Sequence, residues 1–504
     1  MRVAFVNDSC ERIGVEYISA VLKLHGHSVK LFNDPQLFDD ENVTFRSLAN
    51  FFAYKKTIIS ELREYNPDLV CFSVVTDFYQ WACKLAKMIK SELDVPILFG
   101  GIHATSVPEN VIKNDFVDMV CRGEGEYALL DLANSIQKGA IEYDIKNIWF
   151  KKEGQIIRNE ARPLIEDLDS LPFPDKSLFY EASPHFSKCY FLMTNRGCAY
   201  ACSYCSNSFM KKFYKDKGRY LRFRSANNVI DELVISKEKY GIRFVRIHDD
   251  DFLTHDIPWF EEFADKYSKL IKVPFACFTH PNSVTPQKAK LLKEAGCHDI
   301  ELGVQSISSN TRHNIMNRPV TDQQLHDSIN ILKDSGIKII TDNILGMPNQ
   351  DPKEIIDLLK FYNENRVMKI YCFGFRHYPA TDIIEYSKKE SLLSEEDIEN
   401  LENGVNVKTF IQSGDILSFE QKQLQTFFAF LLYLPKQVNN YILKHKLYKL
   451  IIPLPYFIHV IFSNWLRIPF KFNWALHITI SRYSHYIFKK LACSLKFKSN
   501  AANK

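Results

Sequence analysis

Two series of short apolar runs, separated by helical stretches, constrain the fold of this 504-residue chain most strongly. The first series lies within residues 1–140 and includes RVAFV, SVKLF, DLVCFSVV, VPILFGG and DMVCRGEGE. Continuous runs of Val, Ile, Leu and Phe are typical of parallel strands that helices cover on both faces. The alternation therefore predicts an open, doubly wound α/β domain, whose ligands bind beyond the carboxyl ends of its strands.

A second series begins near Cys189 and predicts six strand–helix units. Its strand candidates are CYFLMT, FVRIHDD, FACFTH, DIELGV, IKIITDNILG and KIYCFGF, and helical patterns separate them. Polar residues at the strand ends favour a partial or complete β/α barrel with a site at its C-terminal rim. We therefore divide the chain into a doubly wound domain, a linker with a hairpin, a barrel and a mainly helical C-terminal region, at 1–140, 141–185, 186–384 and 385–504.

The formal net charge of +4 conceals two parts of opposite sign. Residues 1–420 contain all 60 acidic residues but only 51 of the 64 basic ones, a net charge of −9, whereas 13 Lys and Arg residues follow Glu420. A hydrophobic content of 46% with 25% charged residues excludes disordered and collagen-like classes. Scattered cysteine spacings and a strand-like N-terminus without a signal-peptide pattern predict a cytoplasmic protein with reduced thiols.

The acid-free residues 421–504 are dense in aromatic side chains. Their longest charge-free apolar run, Leu450–Phe462, has 13 residues and two prolines, fewer than the roughly 18 residues that a membrane-spanning helix needs. Two interpretations stay open: a helical subdomain packed on the barrel, or peripheral contact with an anionic membrane or a lipid-like substrate. No nucleic-acid module is recognised, so we expect no nucleic-acid partner.

Three cysteines lie within eight residues, Cys198, Cys202 and Cys205 in the sequence CAYACSYC, just after the first strand of the second series. Thiolates at this spacing can bind one soft metal centre from a single loop. A structural zinc site would need a fourth ligand and more often uses paired spacings, whereas three thiolates on a four-iron cube leave one iron open. The other cysteines lie mostly in strand runs and are interpreted as core residues, for example Cys71, Cys121 and Cys372.

This CxxxCxxC spacing, with an aromatic residue before the third cysteine, resembles the signature of the radical S-adenosylmethionine (radical SAM) enzymes. The resemblance implies a [4Fe–4S] cluster held by Cys198, Cys202 and Cys205, with SAM chelating the fourth iron. It further implies reductive cleavage of SAM to a 5′-deoxyadenosyl radical, and an external electron donor such as a flavodoxin or ferredoxin.

Polar residues at later strand ends resemble the SAM-binding positions of that family. The resemblance implies that Asp249 or Asp250, in the run HDDD, contacts the amino group of SAM, and that Arg318 holds its carboxylate. It implies that Gln305 and Asp342 contact the ribose. Further candidates at these strand ends are Glu301 and His280. For each residue a purely structural role is the alternative.

Residues 1–140 also resemble the cobalamin-binding domain that precedes many radical SAM barrels, through the segments FSVVT, GGIHAT and RGEGE. In that class, small hydroxyl and backbone groups line a slot for the nucleotide tail and the corrin edge. The implied contact residues are Ser73, Thr76, Gly100, Gly101, His103, Gly123 and Glu124. Members with a protein lower ligand carry Asp-x-His-x-x-Gly, but Cys10 occupies the His position here, which implies cobalamin without a His ligand. The alternatives are a scaffold without corrin and simple turn glycines.

The combined resemblance implies a cobalamin-dependent methyltransferase acting on an unactivated carbon or phosphorus of a small or lipid-like metabolite. The substrate radical would receive a methyl group from methylcobalamin, which a second SAM would regenerate. The same branch includes oxidative cyclases and rearrangement enzymes, among them the anaerobic magnesium-protoporphyrin monomethyl ester cyclase. A cobalamin or iron–sulfur sensor is the non-enzyme alternative, and four successive SAM-site positions argue against it.

Replacing a single predicted cluster ligand tests the metal assignment. We expect the purified, anaerobically reconstituted protein to bind about four irons and four sulfides, and Cys202→Ala to lose them, because a cube needs all three thiolates. Iron and sulfide analysis with visible absorption measures this. The control Cys71→Ala keeps its iron. A colourless, zinc-loaded wild-type protein would rule the cluster out.

Overall fold

The computed structural model describes residues 1–39, 45–405, 417–454 and 473–502. The second half of the predicted apolar run Leu450–Phe462, and the aromatic residues up to 472, lie outside the described residues.

A seven-stranded sheet forms the N-terminal part, in the order β2-β1-β3-β4-β5-β6-β7. Its first five strands are parallel, as the doubly wound prediction requires, and β6 and β7 add an antiparallel hairpin. The sheet therefore continues past residue 140 through the hairpin that we placed in the linker. The strands are β1 (Arg2–Asn7), β2 (Ser28–Asn33), β3 (Leu69–Ser73), β4 (Ile97–Gly100), β5 (Met119–Cys121), β6 (Ile148–Lys152) and β7 (Gln155–Ile157).

Helices cover both faces of this sheet, so its strands are buried on both sides. Phe72 and Phe99 belong to the core on one face, and Phe5 and Leu98 to the core on the other. The helices up to the second sheet are α1 (Ile13–Leu24), α2 (Arg46–Phe51), α3 (Lys55–Tyr65), α4 (Tyr79–Glu92), α5 (Gly101–Ser106), α6 (Pro108–Ile112), α7 (Glu126–Gln137) and α8 (Lys176–Ala182).

The six strands predicted after Cys189 form one parallel sheet in chain order, a partial β/α barrel. A two-stranded ribbon, β9 (Asn195–Arg196) with β10 (Arg222–Phe223), flanks the cysteine loop. The barrel strands are β8 (Tyr190–Leu192), β11 (Val245–Ile247), β12 (Phe275–Thr279), β13 (Cys297–Gln305), β14 (Lys338–Leu345) and β15 (Lys369–Gly374).

Local signals set the limits of the barrel helices. The Thr285 side chain caps the start of the helix whose first residue is Pro286, and Gly296 ends that helix with φ +100°. The helices of this half are α9 (Ser206–Phe213), α10 (Ala226–Tyr240), α11 (Ile257–Lys266), α12 (Pro286–Ala295), α13 (Asp322–Asp334), α14 (Lys353–Glu364), α15 (Asp382–Lys389), α16 (Glu395–Glu402), α17 (Phe419–Leu431), α18 (Lys436–Lys444) and α19 (Trp474–Ala502).

The C-terminal helix α19 contacts residues of both sheets. Trp474 lies near Phe191 of the barrel, with the Arg246 guanidinium 5.6 Å from its ring centroid. Further along the helix, the Tyr486 hydroxyl accepts a hydrogen bond from Asn33 Nδ2 at 3.2 Å, at the end of β2. Part of the aromatic tail thus packs on the body, as one of the two interpretations requires. Within the described residues, no helix combines the length and apolarity needed to cross a membrane.

A buried ion triad fixes helix α8 to the N-terminal domain. Lys176 Nζ lies 2.8 Å from Glu11 and 2.7 Å from Glu16, and all three side chains are at most 2% exposed. Removing one member of such a group leaves uncompensated charge in a medium that solvates it poorly.

We expect Lys176→Met to lower the free energy of unfolding by about 3–5 kcal/mol, because two buried carboxylates lose their counter-ion. Urea denaturation measures the effect. The exposed pair Arg63–Glu92, 2.8 Å apart, supplies the control: Arg63→Met should cost less than about 1 kcal/mol. Equal losses in the two variants would contradict this account.

Candidate functional site

The three cysteines lie on the loop between β9 and α9, and Cys205 immediately precedes that helix. Gly197 starts the loop with φ +90°, and a side chain there would collide with the Tyr220 carbonyl. Glycine is therefore needed for the close approach of the β10 segment to the cysteine loop. Cys202 is buried, whereas Cys198 and Cys205 are partly accessible.

The environment of the thiols suits metal coordination. Burial raises the pKa of Cys198 to about 12 and also raises the pKa of Cys205, so without a metal these thiols keep their protons. A metal centre displaces such protons. Two polar side chains reach the sulfurs: Arg318 Nη1 lies 3.5 Å from Cys202 Sγ, and Asn207 Nδ2 lies 3.5 Å from Cys205 Sγ. Donors of this kind stabilise the charge of thiolates and tune iron–sulfur clusters.

Zinc and an iron–sulfur cube would use the three thiols differently. A zinc ion holds its ligands around one atom at about 2.3 Å for sulfur, whereas each thiolate of a cube binds a different iron. Among the described residues, no three His, Cys, Asp or Glu side chains converge closely enough to bind one metal ion.

The three aspartates after β11 have different surroundings. Asp249 is buried and accepts hydrogen bonds from the backbone N–H of Thr194, at 2.7 Å, and from its hydroxyl. Burial raises the pKa of Asp249 to about 7. Asp251 is likewise buried and accepts from Thr279 at 2.8 Å. Both carboxyl groups brace neighbouring strand ends.

Asp250 differs, because it keeps access to solvent, although the surrounding residues desolvate its carboxyl group enough to raise its pKa above the ordinary value. The Asn207 amide that reaches Cys205 also donates to Asp250 Oδ2, at 3.1 Å. Its charge acts on both Cys198 and Cys205, so the carboxylate lies beside the cysteine loop. The structure thereby separates the two sequence candidates: Asp250 faces the loop, and Asp249 holds the backbone.

Arg318 and Gln305 meet at Gly303, near the end of β13. Arg318 Nη2 donates to the Gly303 carbonyl, and a Cβ on Gly303 would lie 3.1 Å from both Arg318 Nη2 and Gln305 Nε2. Arg318 is 6% exposed, and its Nε has no hydrogen-bond partner. A buried guanidinium with an unpaired N–H beside the cysteine loop is suited to an anionic ligand group.

Asp342 and Glu301 lie deeper in the barrel. Burial and the neighbouring Glu301 raise the pKa of Asp342 well above its ordinary value, and Asp342 Oδ1 has no hydrogen-bond partner. Glu301 pairs with the buried Arg246. Burial lowers the pKa of Lys369 to about 7, although the carboxyl groups of Glu301 and Asp342 favour its charged form. Asp342 can thus carry a proton and offer a hydrogen bond to a ligand hydroxyl.

His280 contacts the cysteine loop directly. Its ring stacks on Tyr200 with centroids 3.7 Å apart, and Nδ1 accepts from the Asn282 backbone N–H at 3.2 Å. Its Nε2 is buried without a partner. Burial lowers the pKa of His280 to about 2, so the ring stays neutral.

The predicted residues of the first domain separate into two groups. A cavity of about 280 Å³ lies at the carboxyl ends of β3, β4 and β5. The predicted residues that line it are Ser73, Gly100, Gly101, Gly123 and Glu124. Thr76 and His103 instead form a buried pair, with Thr76 Oγ1 3.0 Å from His103 Nδ1.

The glycines of this cavity have different roles. A Cβ on Gly101 would lie 2.6 Å from the Val74 nitrogen, and one on Gly123 would collide with the Tyr214 hydroxyl. At these two positions glycine is needed because another part of the chain lies where a side chain would be. A Cβ on Gly100 would make only ordinary contacts, at 3.7 Å or more.

Glu124 connects the cavity to the cysteine loop. Its carboxylate lies 3.1 Å from Arg196 and 2.8 Å from Arg222, the paired residues of β9 and β10. Arg196 also lies 2.6 Å from Glu126. Although burial disfavours its charged form, Arg196 and Arg222 hold the pKa of Glu124 below its ordinary value. Glu124 is therefore ionised and links the first domain to the ribbon beside the cysteine loop. Arg196 and Met193 complete the cavity wall from the barrel side.

Sequence reasoning missed several of these residues. Asn207 and Arg196 adjoin the cysteine motif, but their roles depend on contacts with Asp250 and Glu124, which are distant in sequence. His248 was also missed: its ring lies 4.3 Å from that of Phe191, and its buried Nε2 has no partner. The sequence signal for His248 is its place as the first residue of the run HDDD, directly after β11.

Two family models match the chain. The B12 binding domain matches residues 2–133, and the Radical SAM superfamily matches residues 192–362, so together they cover more than half of the sequence. The first match contains the cavity, and the second contains the cysteine loop and the strand ends around it.

Among curated proteins, an uncharacterised methyltransferase of Pyrococcus horikoshii is 26% identical over 76% of this chain and 79% of its own. An anaerobic magnesium-protoporphyrin IX monomethyl ester cyclase of Rubrivivax gelatinosus is 22% identical over 76% of this chain and 70% of its own. Among solved structures, the cobalamin-dependent SAM radical enzyme OxsB, with aqua-cobalamin and SAM bound, matches with a TM-score of 0.64 at 17% identity. The match covers 100% of this chain and 81% of that chain, and it shows a shared fold.

We expect Asp250→Asn to weaken SAM binding about tenfold or more, because a hydrogen bond to a charged amino group contributes about 1.5–3 kcal/mol. Anaerobic equilibrium dialysis of the reconstituted protein measures the affinity. The matched variant Asp249→Asn should instead lower the thermal midpoint, since its amide would oppose the Thr194 N–H donor. Weaker SAM binding in Asp249→Asn, with Asp250→Asn unchanged, would contradict the assignment.

Proposed function

Because the chain belongs to the radical SAM superfamily and carries a B12-binding domain ahead of the barrel, we propose that it is a cobalamin-dependent radical SAM methyltransferase. Its target would be an unactivated carbon or phosphorus centre of a small or lipid-like metabolite. One observation carries the proposal: Arg196 lines the cavity of the B12-binding domain and immediately precedes the cysteine loop. The two proposed cofactor sites would therefore adjoin.

Bound [4Fe–4S] cluster, SAM and cobalamin supply a carbon-centred radical and a transferable methyl group. In this proposal Cys198, Cys202 and Cys205 hold three irons. The N–H groups of Asn207 and Arg318 stabilise the negative charge on two of those sulfurs, as their 3.5 Å distances allow. The fourth iron would stay open to SAM.

The side chains around the loop then hold SAM by complementary charge. Asp250 would accept a hydrogen bond from its amino group, and the unpaired Arg318 N–H would donate to its carboxylate. Gln305 and protonated Asp342 would bind the ribose hydroxyls, with Glu301 and Arg246 holding Asp342 in place. His280 would orient the Tyr200 ring of the loop.

For cobalamin we propose the cavity lined by Ser73, Gly100 and Gly123 as the tail site. The buried Thr76–His103 pair would support its wall, since neither residue lines the cavity. Cys10 lies at the position where a His lower ligand would occur, so we propose cobalamin without a protein imidazole.

Aromatic side chains in the barrel suit radical chemistry, because they exclude water and present few polar groups that could quench a radical. Phe191 and Phe278 flank His248, with ring centroids 4.3 Å and 5.7 Å away. Burial and Arg246 lower the pKa of His248 to about 3, so this imidazole is neutral. It can donate or accept one hydrogen bond beside these two aromatic rings.

A second candidate is an oxidative cyclase or rearrangement enzyme of the same branch, which the similarity to the Rubrivivax cyclase favours. Both candidates use the same cysteine loop and SAM contacts. As partners we propose a small-molecule substrate and an external one-electron donor, and we extend the proposal to a cytoplasmic protein with peripheral membrane contact.

Product analysis distinguishes the candidates. With SAM, hydroxocobalamin and a strong reductant under anaerobic conditions, we expect both 5′-deoxyadenosine and S-adenosylhomocysteine from the wild type. The second product marks methyl transfer from SAM. 5′-Deoxyadenosine alone would favour the cyclase, and neither product would contradict both enzyme candidates in favour of a sensor.

A cavity-blocking variant provides the control for cobalamin. Gly100→Val places a side chain in the cavity wall without backbone strain, since φ is −131° and the added Cβ makes ordinary contacts. After incubation with hydroxocobalamin and desalting, we expect this variant to lose the corrin spectrum and S-adenosylhomocysteine formation but keep its iron. A wild type that retains no corrin would reject the cobalamin assignment.

A further inference from the structure

The described C-terminal residues 417–454 have one face that is packed and one that is not. Their inner face joins the barrel core, through side chains that contact α14 and its neighbours: Leu424, Phe427, Phe428, Leu431, Leu443 and Tyr448. This inner face anchors α17, α18 and the turn that follows them rigidly on the barrel.

The outer face carries large apolar side chains in contact with solvent. Leu450 is 80% exposed, Ile452 79% and Tyr441 59%. We define the outer face by these residues and their exposed neighbours: Val438, Tyr441, Leu447, Leu450 and Ile452. Isolated exposed apolar residues are common on proteins, but five of them on helix α18 and the turn that follows it call for a covering surface.

Lysines accompany the outer face. Lys436 pairs with Glu364 at 3.1 Å, and Lys449 pairs with Glu420 at 3.2 Å. Lys444 and Lys446 are exposed and make no ion pair within the described part of the chain. No Asp or Glu follows Glu420 in the sequence, so this region has excess positive charge.

We infer that the outer face docks the protein peripherally on an anionic membrane surface. Apolar and tyrosine side chains beside lysines suit the boundary between lipid headgroups and acyl chains, and each Lys near such a surface contributes about 1 kcal/mol. Lysine is depleted at protein–protein interfaces, which makes a protein partner the weaker fit. Residues 1–420, with a net charge of −9, are repelled by anionic lipid, which orients this face toward it.

Vesicle sedimentation with the full chain tests the inference. We expect binding to phosphatidylglycerol–phosphatidylcholine vesicles, weakening with salt, and little binding to phosphatidylcholine alone. Lys444→Glu/Lys446→Glu should weaken binding about 30-fold or more, since two favourable contributions are lost and two repulsions are added. Leu450→Ser/Ile452→Ser should weaken it on both vesicle types.

The control Lys84→Glu/Lys87→Glu makes the same charge change at exposed positions of α4 and should bind as the wild type does. Every substituted side chain is exposed and belongs to no core cluster, so the circular dichroism spectra of the variants should match that of the wild type. Wild type that binds neither vesicle, or variants that bind equally well, would overturn the inference. So would a lipid-free dimer, seen by analytical ultracentrifugation, that the serine variant dissociates. Product formation by the enzyme is measured separately, so failure here would reject peripheral membrane contact and leave the proposed reaction standing.

Discussion

The carboxylate of Glu124, held between Arg196 and Arg222, is the interaction on which the arrangement of the two domains depends. It lies just after a strand of the first sheet, while both guanidinium groups belong to the ribbon beside the cysteine loop. Charge-assisted hydrogen bonds in a poorly solvated site are strong and directional. They set the cavity of the B12-binding domain against the loop that would hold the cluster.

Other buried charges reinforce that junction. Lys176 joins the segment between the domains to Glu11 and Glu16, and Arg224 lies 2.5 Å from Glu232 beside Tyr17 of the first domain. Buried ion pairs add little net stability but penalise any arrangement that separates the partners. Their value here is specificity: a shift between the domains would separate Arg196 and Arg222 from Glu124 and break the hydrogen bond from Arg224 to Tyr17.

Inside the barrel, neighbouring polar residues also differ in the partners that they bind. Asp249 and Asp251 satisfy backbone and hydroxyl donors at strand ends. Asp250 instead accepts a hydrogen bond from Asn207, the residue that also reaches Cys205, whereas Asp251 acts on the loop through its charge near Cys198. Arg318, Asp342, His248 and His280 each keep one buried polar atom without a partner. Unpaired buried polar atoms are costly, and two of these residues, Arg318 and His280, contact the cysteine loop directly, as is typical of a ligand site.

Apolar periodicity and a short cysteine spacing predicted the parallel strands of both sheets and the cysteine loop, because these are local properties that do not depend on distant contacts. The sequence also predicted that Arg318 and Gln305 serve one site, and the structure brings them together at Gly303. Three features became visible only in the folded chain: Asn207 binds Asp250, Glu124 joins the two domains, and Thr76 and His103 form a buried pair away from the cavity. These roles depend on partners far away in the chain, and a side chain's partner is fixed by packing rather than by its neighbours in sequence.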